Sequence, residues 1–484
     1  MPPRNDDNRN HGSGYGYDAI VIGAGPNGLA AAIEIARAGR QVCLYEGHST
    51  VGGGTRSAEL TLPGFIHDVC SAVHPLAASS PFFTQLPLEK HGLEFVYPPS
   101  SLAHPFDDGT ALVIERSLDA TAARLGKDNS SYRRVFSPLV NVWDGLAGDL
   151  LGPLGIPRHP FAMARFGLIG IRSAKGFAEA RFQEDKTRAL FAGMAAHSFL
   201  ALEWAGTTAF GLVLGVLAHT AGWPIIRGGS QNLANALAAH LTELGGEIVT
   251  DYRVKSLTDL PAARAILCDV TPRQLVHMAG DTLTPGFRRR LERYRYGPAA
   301  FKMDWALNAP VPWTAAECKT AATVHLGGSF VEIITSEWNA THERHSEKPF
   351  VLIAQPSLFD STRAPAGQHT LWAYCHVPNG SAVDMSDAIE NQIERFAPGF
   401  RDCILARKVI DPADYELYNP NLIGGDINGG IQDLAQMFLR PTSRMYSTSK
   451  EGLYICSSST PPGGGVHGLC GFHAARVALR KNLR

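Results

Sequence analysis

The sequence predicts an α/β protein: a discontinuous Rossmann-like dinucleotide-binding domain, interleaved with a substrate domain of mixed sheet and helices. Three stretches predict it. Residues 17–46, "YDAIVIGAGPNGLAAAIEIARAGRQVCLYE", read as strand, glycine turn, helix and strand. Residues 222–257, "GWPIIRGGSQNLANALAAHLTELGGEIVTDYRVKSL", read as a glycine-led amphipathic helix and a further strand. Residues 451–479, "EGLYICSSSTPPGGGVHGLCGFHAARVAL", read as strand, Gly/Pro-rich loop and helix.

In the first stretch, Gly23 permits the tight turn, Gly25 lets the backbone approach a pyrophosphate, and Gly28 lets helix and strand pack closely. The helix then starts facing the phosphates. Glu46 ends the second strand, where its carboxylate can accept hydrogen bonds from both hydroxyls of an adenosine ribose. A lone GxGxxG says little. Strand, helix, strand and terminal acid together specify dinucleotide binding.

Which dinucleotide follows from the next residues. "GHSTVGGGTRSAELTLPGFIHD" carries a second glycine cluster, Gly52 to Gly54, then Arg56 and Asp68. A nicotinamide dehydrogenase has no need of it. The run resembles the extended amino-terminal motif of flavoproteins related to amine oxidases, phytoene desaturases and Rab GDP-dissociation inhibitors. The resemblance implies FAD, with Gly52, Gly53 and Arg56 on its flavin side. "STPPGGGVHG" is similar to the carboxy-terminal flavin motif of the phytoene desaturase family, which implies that Gly464, Gly465 and Val466 lie against the ring. Ser457, Ser458 and Ser459 stand where that family often has glycine. The middle stretch implies that the backbone near Val254 meets the adenine. With "NPNLIGGDINGGIQDLAQMFLRP" at 419–441, the resemblance to phytoene desaturase-like oxidoreductases covers nearly the whole chain.

The remaining chain divides accordingly. Residues 1–14 read as a disordered leader, and about 15–110, 222–300 and 441–484 as the three parts of the FAD domain. About 111–221 is a helical cap, and about 301–440 a mixed sheet with "FKMDWALN", "ATVHLGG", "SFVEIITSE", "PFVLIAQPS" and "HTLWAYCHV" strand-like. Net charge is −1 over 484 residues, which gives no general pull toward nucleic acid. The leader lacks the apolar core of a secretion signal, so a cytoplasmic location is expected. The uncharged stretch 204–226 reads as a buried or tunnel-lining helix pair, with peripheral membrane contact as the other reading. None of the eight cysteines forms a CxxC, which speaks against a thiolate zinc site or a thiol redox centre; no metal is expected. The sequence leaves the oligomeric state open.

The chemistry implied is hydride transfer from an apolar small molecule to flavin N5, with electrons passing to oxygen, a quinone or another acceptor. A greasy tunnel is expected from Phe191, Met194, Phe199, Leu200, Trp204, Phe210, Leu212 and Leu214. The acid–base candidates are His467, in the flavin loop, and His74, in "CSAVHP", with His197 and His219 in the apolar helices. Arg440 could orient a carbonyl or carboxylate substrate. Alternatives are a flavin-dependent amine oxidase, for which Lys302 is the candidate lysine, a reduced-flavin isomerase, and a non-catalytic prenyl-binding protein resembling the GDP-dissociation inhibitors.

Overall fold

The run Tyr17–Ile22 is buried over its last four positions, as in a strand covered on both faces. It forms the centre of a five-stranded parallel sheet, in a computed structural model that describes residues 16–153 and 155–484. The leader expected at 1–14 lies outside those residues. Val42–Tyr45 and Ala263–Cys268 flank the central strand; Glu247–Val249 and Leu453–Ile455 form the edges. Distant parts of the chain therefore build one sheet.

The helices Pro26–Arg37, Gln231–Glu243 and Leu469–Lys481 pack together against it. The first and last meet backbone to backbone. A Cβ on Gly471 would lie 1.7 Å from the carbonyl oxygen of Asn27. A Cβ on Gly28 would lie 1.8 Å from the carbonyl oxygen of Gly23. Neither position has room for any other residue.

A second, seven-stranded sheet runs in the order Ile404–Ile410, Ala299–Leu307, His369–Val377, Val351–Ala354, Ala321–Leu326, Ser100–Pro105 and Ala111–Glu115. All its pairings are antiparallel apart from Ala321–Leu326 with Ser100–Pro105. Side chains alternate between its faces. Phe301, Met303, Trp305, Ala373 and Cys375 close a core on one face. The register aligns His325, Leu352, Tyr374 and Lys302 in one row of the other face, with Thr323, Ala354, Trp372 and Asp304 in the next. The helices Asp185–Ala195 and Thr207–Thr220 cover part of that face.

Several sequence expectations are corrected here. "SFVEIITSE" is not a strand but the start of the helix Phe330–Thr341. Ser329 and Glu332 form a capping box, which outweighs the β-branched residues that suggested a strand. Ser100–Pro105 belongs to the second sheet, although the first domain segment was drawn to 110. Residues 204–226 hold one long helix, Thr207–Thr220, and the short strand Ile225–Ile226, not a helix pair. Among the described residues, no helix is long and apolar enough to cross a membrane. Ser230 precedes the helix Gln231–Glu243 without capping it through its side chain. Its N–H instead donates to Asp68 at 2.7 Å.

Asp68 joins the two sheets' territories. It also accepts from the Ser57 hydroxyl and from Arg363 Nη2, each at 2.7 Å. Burial alone would raise its pKa, but Arg363 and these bonds outweigh it and hold the carboxyl below its ordinary value.

Gly471→Ala tests the backbone contact of the first and last helices. It should cost at least about 2 kcal/mol in urea denaturation, because the clash is with main chain and cannot relax by a rotamer change. A substitution with no measurable cost would contradict the packing.

Candidate active site

One cavity of about 800 Å³ opens where the two glycine loops meet. Gly23 needs its positive φ of 97° for the turn, and Gly53, at φ 54°, brings its α-carbon region against the first loop: a Cβ there would lie 3.0 Å from Gly25 Cα. The Gly52 N–H donates to the Ala24 carbonyl at 2.8 Å and ties the loops together. Gly25 caps the helix Pro26–Arg37 with no side-chain hydrogen bond. Asn27 lines the cavity, and its buried Oδ1 has no hydrogen-bond partner among the described residues. A helix start without a side-chain cap and an unpartnered polar atom, both against a glycine cradle, fit an anionic extended nucleotide.

Glu46 lines the same end. Its two oxygens accept from the N–H groups of Ala24, at 2.8 Å, and His48, at 2.9 Å, and Arg56 Nη2 lies 3.2 Å away. An ionised carboxylate has about four acceptor sites, so capacity remains for ribose hydroxyls. Arg56 is itself fixed by two bonds to the Thr50 carbonyl, at 3.0 and 2.7 Å. Val254 lines this end too, and Gly464, Gly465 and Val466 line the same cavity. Gly28 and Gly52 do not line it; they act through packing and through the bond between the loops.

The sequence reading missed Asp269, at the end of the strand Ala263–Cys268. Its Oδ2 accepts from the Gly28 N–H at 2.9 Å, inside the glycine turn. Burial pushes its carboxyl up to about 7, and nearby Glu46 adds to this against the lowering effect of the Gly28 bond. Only the pairing of this strand beside Tyr17–Ile22 reveals it.

The cavity continues into a chamber lined by Phe199, Leu214, Trp223, Leu352, Trp372 and Tyr374. Of the charged lining residues, Glu46, Arg56, Arg253, Lys255 and Asp269 belong to the nucleotide end, and Arg440 lies at the carboxy-terminal loop. Of the expected tunnel residues, Phe199, Phe210 and Leu214 line it; Phe191, Met194, Leu200, Trp204 and Leu212 do not. Of these five, all but Trp204 are buried.

The histidines separate sharply. His467 does not line the cavity. Its Nδ1 accepts from the Leu469 N–H at 3.0 Å and so caps the last helix. Burial pushes it down to about 4, against a bond to the Gly463 backbone. His74 lines the cavity but is held by Ser230 Oγ at 2.8 Å, and burial likewise pushes it to about 4. His219 lies outside, bonded to the Tyr132 hydroxyl at 2.8 Å. Arg440 lines the cavity, yet its guanidinium is engaged by the carbonyls of Ser458 and Asn428, each at 2.9 Å. It clasps the 419–441 segment to the carboxy-terminal loop. Lys302 is fully buried against Asp304 and does not line the cavity.

His197 is different. It lines the chamber, and its Nε2 lies 3.1 Å from Nε2 of His325, a buried residue of the second sheet. Behind them, His376 Nδ1 lies 2.7 Å from Glu337 Oε2. Burial, with the like charge of His376, pushes His197 down to about 3, so its imidazole is neutral at ordinary pH. Sequence spacing gives no hint of this group, because strand register assembles it.

Comparison with known proteins agrees with the architecture. Residues 21–86 match the NAD(P)-binding Rossmann-like domain family. The chain is 26% identical to the mouse pyridine nucleotide-disulfide oxidoreductase domain-containing protein 2, over 96% of this chain and 94% of that one. It is 26% identical to the neurosporene-forming phytoene desaturase of Rhodobacter capsulatus, over 94% and 92%. Among solved structures, an oxidoreductase from Methanosarcina mazei matches with a TM-score of 0.65 at 15% identity, covering 96% of this chain and all of that one. Putrescine oxidase bound to putrescine matches at 0.61 and 16%, covering 97% and 99%. By sequence the chain is similar to phytoene desaturases, and it shares the fold of these solved structures.

Asp269 yields a signed pH prediction. Its folded pKa is raised above the unfolded value, so its contribution to stability is fully present below about 4 and lost as pH rises through about 7. Asp269→Asn keeps an acceptor for Gly28 but cannot ionise. At pH 8 the nucleotide-free variant should therefore unfold a few degrees higher than the parent, with an upper limit of about 4 kcal/mol. At pH 4 the two should coincide. Equal melting curves at both pH values would contradict the assignment.

Proposed function

We propose that the protein is an FAD-dependent oxidoreductase that dehydrogenates an apolar small molecule. The observation that carries this is the continuous cavity leading from the glycine loops into a largely apolar, aromatic chamber. The residues that would hold FAD are Gly23, Gly25, Gly53, Glu46, Arg56 and Val254, with Gly464, Gly465 and Val466 beside the ring. FAD supplies, when bound, an acceptor for a hydride leaving a substrate carbon.

The chain's own part is to hold the substrate, exclude water and receive the accompanying proton. Trp372 and Leu352 on the sheet, and Phe199 and Leu214 opposite, offer flat apolar contact. The carbon next to one that has lost hydride is a strong acid, so a weak base is sufficient. His197 is neutral and therefore free to take that proton. His325, itself held neutral by burial, lies where its Nε2 can accept a hydrogen bond from the His197 Nε2–H.

Amine oxidation draws support from fold alone, as shared with putrescine oxidase at 16% identity. The lysine it would require, Lys302, is spent on Asp304. This reading therefore ranks second.

Two measurements test the proposal. The purified chain, or the chain incubated with FAD, should be yellow, and an isoprenoid or enone-forming substrate should bleach the flavin band without oxygen. A colourless protein after reconstitution would end the proposal. His197→Ala should lower the rate of bleaching roughly 100-fold while leaving flavin content unchanged. His467→Ala should act mainly through stability and flavin retention, because that ring caps a helix. Equal bleaching rates for His197→Ala and the parent would assign the proton elsewhere.

A further inference from the structure

The cysteines offer no zinc motif, but the fold brings three other ligand-type side chains together on the outer side of the dinucleotide-binding domain. His240 and Glu243 stand three positions apart in the helix Gln231–Glu243 and share one face. His91 ends the short turn Leu88–His91, which packs against that helix. Glu243 Oε2 lies 3.0 Å from His91 Nε2 and 3.3 Å from His240 Nδ1. One ligand atom from each of the three falls within 4.8 Å of the others, and among the described residues this is the group of three with that property. The two rings are 5.5 Å apart and tilted rather than stacked.

We propose that His91, His240 and Glu243 bind a divalent transition-metal ion, zinc by preference. Bonds of 2.0–2.2 Å to tetrahedral zinc place ligand atoms roughly 3.3–3.5 Å apart. Both distances to Glu243 already lie near that edge length, so binding requires small rotamer adjustments and no backbone movement. Two imidazoles and a carboxylate are a ligand set suited to zinc. The imidazoles are largely covered, with side-chain exposures of 16% for His91 and 9% for His240, while Glu243 is 62% exposed. The histidines are therefore held in place with little freedom left to lose, and the fourth position faces solvent, where water completes the shell. The simpler arrangement is a carboxylate hydrogen-bonded to two imidazoles.

The site has a structural consequence. The helix bearing His240 and Glu243 begins beside Ser230, which bonds to both Asp68 and His74. The turn bearing His91 ends the segment that follows His74. A metal ion would clamp the outer ends of the two segments whose inner ends meet at the cavity.

The test uses the full chain, free of any affinity tag, with its flavin content recorded. After dialysis against buffered micromolar zinc and then metal-free buffer, the parent should retain about one zinc ion per chain by elemental analysis. His91→Ala and His240→Ala should each weaken retention at least 10-fold, with unchanged far-ultraviolet dichroism and flavin content. Glu243→Gln should weaken it less. Cobalt substituted at the site should give visible d–d bands beyond the flavin's own absorption, and these should vanish in the His91→Ala/His240→Ala double variant. A parent that retains no zinc is the hydrogen-bonded arrangement and overturns the proposal. Equal retention by the double variant also overturns it, because the metal then sits elsewhere. Neither result bears on flavin chemistry, which the bleaching experiment reads separately.

Discussion

The contact between Gly471 and the Asn27 carbonyl is the constraint from which the site follows. It allows the helices Pro26–Arg37 and Leu469–Lys481 to approach backbone to backbone, and it fixes their starts side by side. The loops before those helices carry Gly25 and Gly464, near opposite ends of the chain, and both face one cavity. A side chain at Gly471 would separate the helices and pull the loops apart. The parallel sheet, by pairing Tyr17–Ile22 with Ala263–Cys268 and that strand with Leu453–Ile455, supplies the floor on which this meeting takes place. Dinucleotide recognition is thus a tertiary property, even though its glycine fingerprint is local.

That distinction explains what could be read in the sequence. The turn at Gly23, the acid at Glu46 and the glycine-rich carboxy-terminal loop each carry a local pattern of residue types, and a linear reading displays them. The helix Phe330–Thr341 looks like a strand in the sequence because Val331, Ile333 and Ile334 favour one, while the deciding interaction is the reciprocal bond between Ser329 and Glu332. The chamber wall was hidden for a different reason. His325, Leu352 and Tyr374 align only through the register of three strands, and none has a sequence neighbour that announces it. Asp269 reaches the glycine turn by the same kind of pairing. His467 lies close to the loop in sequence, yet that proximity does not set where its ring nitrogens point: Nδ1 accepts from the Leu469 N–H.

Burial acts in opposite senses at the two ends of the cavity. It raises Asp269 and lowers His197, because in each case the charged form loses water without full compensation. Both groups are therefore driven toward neutrality. At the nucleotide end, this would lessen the repulsion between a carboxylate and a diphosphate bound there. In the chamber, it leaves an imidazole that can take a proton but does not carry one beforehand.

A polar residue in an apolar wall needs a structural reason to persist, and Phe199 supplies part of one. It is a non-glycine residue at φ 57°, a left-handed conformation that costs on the order of 1 kcal/mol or more. Its ring packs 3.8 Å from that of His376 and stacks on Tyr374 at 6.0 Å between centroids. Those contacts offset the strain and stop the turn after Ala196–Ser198 from relaxing into a longer helix. Continued helix would carry both residues 197 and 199 away from the sheet. The kink instead presents Phe199 to the chamber as a wall and leaves His197 edge-on to Trp223, within reach of His325. The conformation is the costlier one locally, and it is what allows an apolar lining and a buried, uncharged imidazole to come from the same turn.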